Sequence, residues 1–162
     1  MPAAPLAKAG IVIFKFKVTK EVHKLDVSID LYTQASAVAI QVTDDKLLEL
    51  CASLGLLEKQ LIDSLVLIDG RKKNKMTLHR SSGDCTASGD FNSIQLYVSK
   101  VSLDYWIVWL LRYYRDSVSD VNHIDTEFRY AGTPDRTVDL ALKVDRALPS
   151  VPIDEARRRL GL

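Results

Sequence analysis

Three side chains able to bind a metal or move a proton lie at alternate positions in the stretch VNHIDTEFRY, residues 121–130: His123, Asp125 and Glu127. On a strand, alternate residues leave the same face, so an imidazole and two carboxylates would share one surface. That set offers nitrogen and oxygen ligands to a divalent cation, and hence a metal-dependent hydrolase as one reading. A solvated face explains the pattern with fewer assumptions. Ile124, Thr126, Phe128 and Tyr130 fill the opposite face, and if that face is turned inward the outer one must be polar. The strand predicted next, RTVDLALKV, would bring Thr137, Asp139 and Lys143 alongside as neighbours, an arrangement that suits cross-strand ion pairs. No HExxH and no paired Cys/His spacing accompanies the trio, so neither a metal nor a cofactor is expected.

A second chemical feature is the basic run RKKNK, with Arg71, Lys72, Lys73 and Lys75 within five positions. A hairpin tip of this kind suits phosphate, which makes nucleic-acid binding an alternative. The preceding DDKLLELCASLGLLEKQLI loosely echoes a helix-turn-helix. Its second helix would be close to neutral on the wet side, however, with Glu58, Lys59, Gln60 and Asp63 there.

The third feature is YWIVWLLRYYRD, residues 105–116, a predicted helix that is apolar almost all round. Such a helix is buried on most sides or covered by a partner, and a second copy of the chain is a candidate. Tyr113 and Tyr114, with Arg112 and Arg115 beside them, are residue types that interface hot spots favour. Asp116 and Asp120 follow. Together with Asp125 and Glu127 they suggest an acidic patch rimmed by tyrosines, which would meet a basic protein surface by charge complementarity.

Nucleophilic catalysis has little support. Cys85 sits in a Ser/Gly/Asp-rich loop where only Arg80 would lower its pKa, and Asp84 and Asp90 oppose that effect. There is no GxSxG, GxGxxG or GxxxxGK[ST] motif, which argues against an enzyme of those classes. Cys51 falls on a helical stripe and Cys85 in a loop, so a disulfide between them is not expected, and two lone cysteines fit a reducing compartment.

The 162 residues are enough for one domain with its own core. Basic (22) and acidic (21) residues nearly cancel, so global charge draws the chain to neither nucleic acid nor membrane. The start, MPAAPLAKAG, lacks the apolar core of a signal peptide, and YWIVWLL is too short to span a bilayer. A cytoplasmic location is therefore the expectation.

The elements that must position these side chains follow from periodicity. Residues 1–9 are expected to be flexible, residues 10–147 to form one domain, and residues 148–162 to end in a short helix. GIVIFKFKV reads as a strand. In HKLDVSIDLY, Leu25, Val27, Ile29 and Leu31 share one face. AVAIQV reads as a third strand. Thr43 can cap a helix carrying Leu47, Leu50, Cys51 and Leu54 on one stripe, with Gly55 expected at its end. LVLI (65–68) fits helix or strand. MTLH and SIQLYV read as strands around a loop at 80–90, Ser102 is expected to cap the aromatic helix, and AGTPD to turn between the last two strands. Most of the strands alternate, so the expected fold is α+β: a mainly antiparallel sheet with one wet face, packed against a Trp/Tyr-rich helix and one or two amphipathic helices. The expected function is a non-enzymatic binding protein with the general character of a small bacterial or phage inhibitor, immunity-type protein or adaptor, acting by masking a partner.

Overall fold

The computed structural model describes residues 21–116 and 123–145, together with Arg158 and Gly161. The strand expected at residues 10–18 and, apart from Arg158 and Gly161, the expected C-terminal helix lie outside these. The chain runs β1 (Val22–Asp26), β2 (Ser28–Tyr32), a short 3-10 turn, β3 (Ala37–Thr43), α1 (Asp44–Glu58), β4 (Ser64–Asp69), β5 (Asn74–Ser81), β6 (Thr86–Ser88), β7 (Ser93–Ser99), α2 (Lys100–Asp116), β8 (His123–Tyr130) and β9 (Thr133–Asp145). Nine strands form one sheet in the order β1-β4-β5-β7-β6-β8-β9-β3-β2.

Sheet direction departs from the antiparallel expectation. Each neighbouring pair formed within a hairpin is antiparallel: β2–β3, β4–β5, β6–β7 and β8–β9. The four pairings that join these units, β1–β4, β5–β7, β6–β8 and β9–β3, are parallel. The sheet is therefore mixed. Alternation along a strand reports which face is wet and is blind to the direction of the neighbour.

The two ends of the strand order, β1 and β2, are consecutive in the chain and only Val27 separates them, so the sheet must curl back on itself. The run from Val22 to Tyr32 pairs first with β4 and then with β3. Side chains stitch the place where it changes partner. Val27 N–H still reaches the Ile68 carbonyl at 3.0 Å. Beyond it the Asp69 carboxylate takes over as acceptor, from Ile29 N–H at 2.9 Å. Its other oxygen accepts from the amides of Arg71 and Lys72, both at 3.0 Å. Asn74 Nδ2 donates to the Ile29 carbonyl at 2.8 Å. Burial alone would raise the pKa of Asp69, but these three amides and the Lys72 ammonium outweigh it and hold the carboxyl below its ordinary range.

One core fills the space between the inner sheet face and the two helices. Of the shared face expected for Leu25, Val27, Ile29 and Leu31, the first three are buried there and Leu31 partly so, and Val138, Leu140, Leu142 and Val144 of β9 are buried with them. LVLI proves to be strand: β4 is covered on both faces, with Leu65, Val66 and Leu67 all buried, which is why its sequence is a continuous apolar run without a period. The second helix of a helix-turn-helix is thereby absent from this stretch. Helix α1 does not stop at Gly55 but continues to Glu58, delivering Leu57 to the core. Gln60, at φ 57°, supplies the left-handed residue after it. Strand β6 is three residues inside the predicted loop, too short to show a period. Helix α2 starts two residues before the expected cap: Ser99 Oγ accepts from Ser102 N–H at 3.1 Å.

Helix α2 is anchored by Trp106. Its ring is 2% exposed, its Nε1–H donates to Thr126 Oγ1 at 2.9 Å, and it packs on Phe128 with ring centroids 6.4 Å apart. Leu103, Leu110 and Tyr113 share the buried side. The helices run antiparallel, since Cys51 meets Ile107 at one point and Glu58 meets Lys100 at another. No described helix is long and apolar enough to cross a membrane.

Candidate protein-docking surface

The opening trio lies on β8, and its alternation is as the sequence predicts: His123, Asp125 and Glu127 are exposed while Ile124, Phe128 and Tyr130 are buried. His123 Nε2 stands 3.5 Å from Asp125 Oδ2, with side chains 45% and 65% exposed. Among the described residues no group of three His, Cys, Asp or Glu side chains is close enough to hold a metal. Neighbouring same-face residues on one strand are about 7 Å apart, too widely spaced for the three to close on one ion by themselves.

The register determines what this face offers. Across the β8–β9 pair, His123 stands opposite Lys143, Asp125 opposite Ala141, Glu127 opposite Asp139 and Arg129 opposite Thr137. The expected ion pairs with β9 are not formed directly: imidazole faces ammonium, and carboxylate faces carboxylate. Glu127 and Asp139 are both exposed, and neither makes an ion pair among the described residues. Like charges placed directly opposite on a sheet face destabilise it.

The same rows continue across β3 and β2. Asp139 pairs with Ala37, which pairs with Tyr32, an exposed ring (49%). Ala141 pairs with Ala39, which pairs with Asp30. Ala37 and Ala141, both half-buried, and Ala39, which its neighbours cover (2% exposed), leave only short side chains between the acids of β8 and β9 and the Tyr32 ring. At its far edge Asp30 is held by Lys72. Tyr32 and Asp30 were legible only as members of an alternating strand. Nothing in that pattern shows that β2 lies three strands from β8.

The patch anticipated from the sequence is divided. Tyr113 is buried against Trp109, ring centroids 5.6 Å apart, so it cannot rim a docking surface. Tyr114 is exposed, but on α2, which packs against the inner face of β8 where Thr126 and Phe128 point. Asp125 and Glu127 leave the outer face. Asp116 closes α2, and Asp120 lies outside the described residues.

The basic tip is divided as well. Lys72 turns back onto Asp30 and lies 3.9 Å from Asp69. These carboxylates, with the Asp30 hydrogen bond foremost, raise its pKa. Lys73, at φ 58°, and Lys75 border a depression of about 440 Å³ with Lys24 over Val22, Val66 and Ile68. Arg71 and Lys72 border another, of about 600 Å³, at the seam near Val27. The two cysteines are free, Cys51 buried and Cys85 partly so.

No protein-family model matches the chain, and comparison with curated proteins finds no relative.

Proposed function

We propose that the chain is a non-catalytic binding protein that docks on a basic surface of another protein through the outer face of β8, β9, β3 and β2. One observation carries this reading. Glu127 and Asp139 are held face to face in the middle of a regular antiparallel pair, where a single Lys at either position would stabilise the fold. Repulsion between the two facing carboxylates, which the neighbouring Arg129 does not pair, is relieved when cations of a partner arrive between them. The short alanine side chains let a flat surface approach, and Tyr32 gives it a rigid amphipathic side chain to pack on. Charge complementarity of this kind acts mainly on specificity and association rate, so binding weakens as salt rises. An inhibitor, immunity-type or adaptor role is the functional class such a surface serves.

The test compares the wild-type chain with Glu127→Lys and Asp139→Lys as immobilised baits in lysate of the native host, eluting in steps of rising salt. The expected result is a basic protein that elutes from wild type at moderate salt and is missing from both variants, which keep their circular dichroism spectra. Retention of the same protein by the reversed-charge variants, or absence of any basic protein from the wild-type eluate, overturns the proposal.

A further inference from the structure

Helix α2 buries one side and leaves the other in water, and the exposed side is not polar. Val101 (78% exposed), Tyr105 (56%), Val108 (46%), Leu111 (47%) and Tyr114 (53%) stand there with the exposed Arg112 and Arg115. These five side chains together expose roughly 500 Å² of apolar surface, at the upper end of what one patch on a monomer shows. The neighbouring helix α1 adds Leu48 (45%) and Leu56 (36%) on the same helical layer.

The order of residues along this face identifies what covers it. Counting outward from Val108, Leu111 lies three positions one way and Tyr105 three the other. Arg112 and Asp104 lie four positions away on either side, and Arg115 and Val101 seven. About Val108 the stripe is self-complementary over its inner positions, apolar against apolar at three and opposite in sign at four, while at seven Arg115 faces Val101. Antiparallel packing of the helix on a copy of itself, with the two-fold axis at Val108, sets Tyr105 against Leu111. It also sets Asp104, half exposed beyond its 2.7 Å bond to Lys100, against Arg112. Arg112 has no ion-pair partner among the described residues. A two-fold interface requires such self-complementarity, in which residue i meets j and j meets i. The spacing 101, 104/105, 108, 111/112, 115 is also the alternating three-and-four step by which two helices interdigitate at a shallow angle.

We propose that this chain forms a two-fold homodimer through antiparallel α2–α2 packing centred on Val108. A specific interface needs about 800 Å² per partner, of which this stripe would supply the larger part, with the arginine and aspartate flanks and the edge of α1 around it. It leaves the acidic sheet face free, because α2 lies against the opposite side of β8. The dimer therefore stands independently of the docking proposal.

Light scattering after gel filtration is expected to show a particle of two 18.1-kDa chains. Val108→Glu, an exposed position, is expected to yield a monomer with an unchanged circular dichroism spectrum and the acidic face still competent. In a Cys85→Ser background, Val108→Cys is expected to form an interchain disulfide on mild oxidation. Val101→Cys is not, since the two copies of that position would be about 21 Å apart along the antiparallel pair. The proposal is overturned by a monomeric wild type at 100 µM, by a dimer indifferent to Val108→Glu, or by cross-linking at position 101 in preference to 108.

Discussion

Replacing Glu127 with Lys is expected to stabilise the folded chain while removing its docking. The magnitude follows from the register. Glu127 and Asp139 are direct partners across β8 and β9, so their Cβ atoms are about 5 Å apart, and the same separation serves for the carboxylates. At the dielectric of bulk water, the lower bound for two exposed side chains, like unit charges at that distance repel by about 0.8 kcal/mol, and screening at physiological salt leaves about half. Reversing one sign turns repulsion into attraction of similar size, a gain of about 0.8 kcal/mol. For a chain of this length that raises Tm by about 2–3 °C. Asp139→Lys should act alike. The double variant places two ammonium groups face to face and should return close to wild type, so the single effects must fail to add. At 1 M salt, where the screening length is about 3 Å, each gain should shrink to about a third. Thermal unfolding of the four proteins at low and high salt makes the measurement. Additive effects, or singles that lower Tm at low salt, would refute the argument that these carboxylates oppose each other without compensation.

Other consequences can be checked by equilibrium unfolding. Asp69→Ala strips three backbone amides of their acceptor at the seam, and is expected to cost about 2–4 kcal/mol in a urea titration; a loss below 0.5 kcal/mol would show that the seam closes without it. Stability should fall in acid. The pKa of Asp69 is depressed in the fold, and so is that of Glu58 through its hydrogen bonds to Lys59 and Lys100. Their stabilisation is therefore present above the unfolded carboxyl range near pH 4 and is lost as pH drops through it. Urea midpoints at pH 7, 5 and 3 should show the decline concentrated below pH 5, and Asp69→Asn should flatten it. Gly89→Ala combines a φ of +83° with a new Cβ 2.9 Å from the Ser93 carbonyl oxygen, whereas Gly132→Ala at φ +81° meets open space. Both substitutions should destabilise, the second by about 1 kcal/mol and the first by clearly more, with the order of urea midpoints as the check.

The strand alternation of β8 and β9 and the stripe of α1 were legible in the sequence because each depends on local periodicity alone. Burial must follow a period of two on a half-wet strand and of 3.6 on a surface helix, and side-chain type reports burial. The buried half of α2 could be expected in the same way, since its apolar content exceeds what one stripe requires. The end of α1 and the start of α2 were each misplaced by three residues because more than one residue nearby could cap, and tertiary contacts chose between them. Strand β4 had no legible period for the opposite reason: neighbours cover both its faces.

Composition and patterning by themselves determined that this chain folds around one core, that His123, Asp125 and Glu127 stay in water, and that α2 carries more apolar surface than one side can bury. Only the tertiary structure decided which strands are parallel, that Val27 is where one strand run changes partner, that Tyr113 is inside and Tyr114 outside, and that Glu127 meets Asp139 and not Lys143. The physical reason is that a face is fixed by the nearest neighbours along the chain. A partner across a sheet is fixed by register between segments far apart in sequence, which no local period encodes.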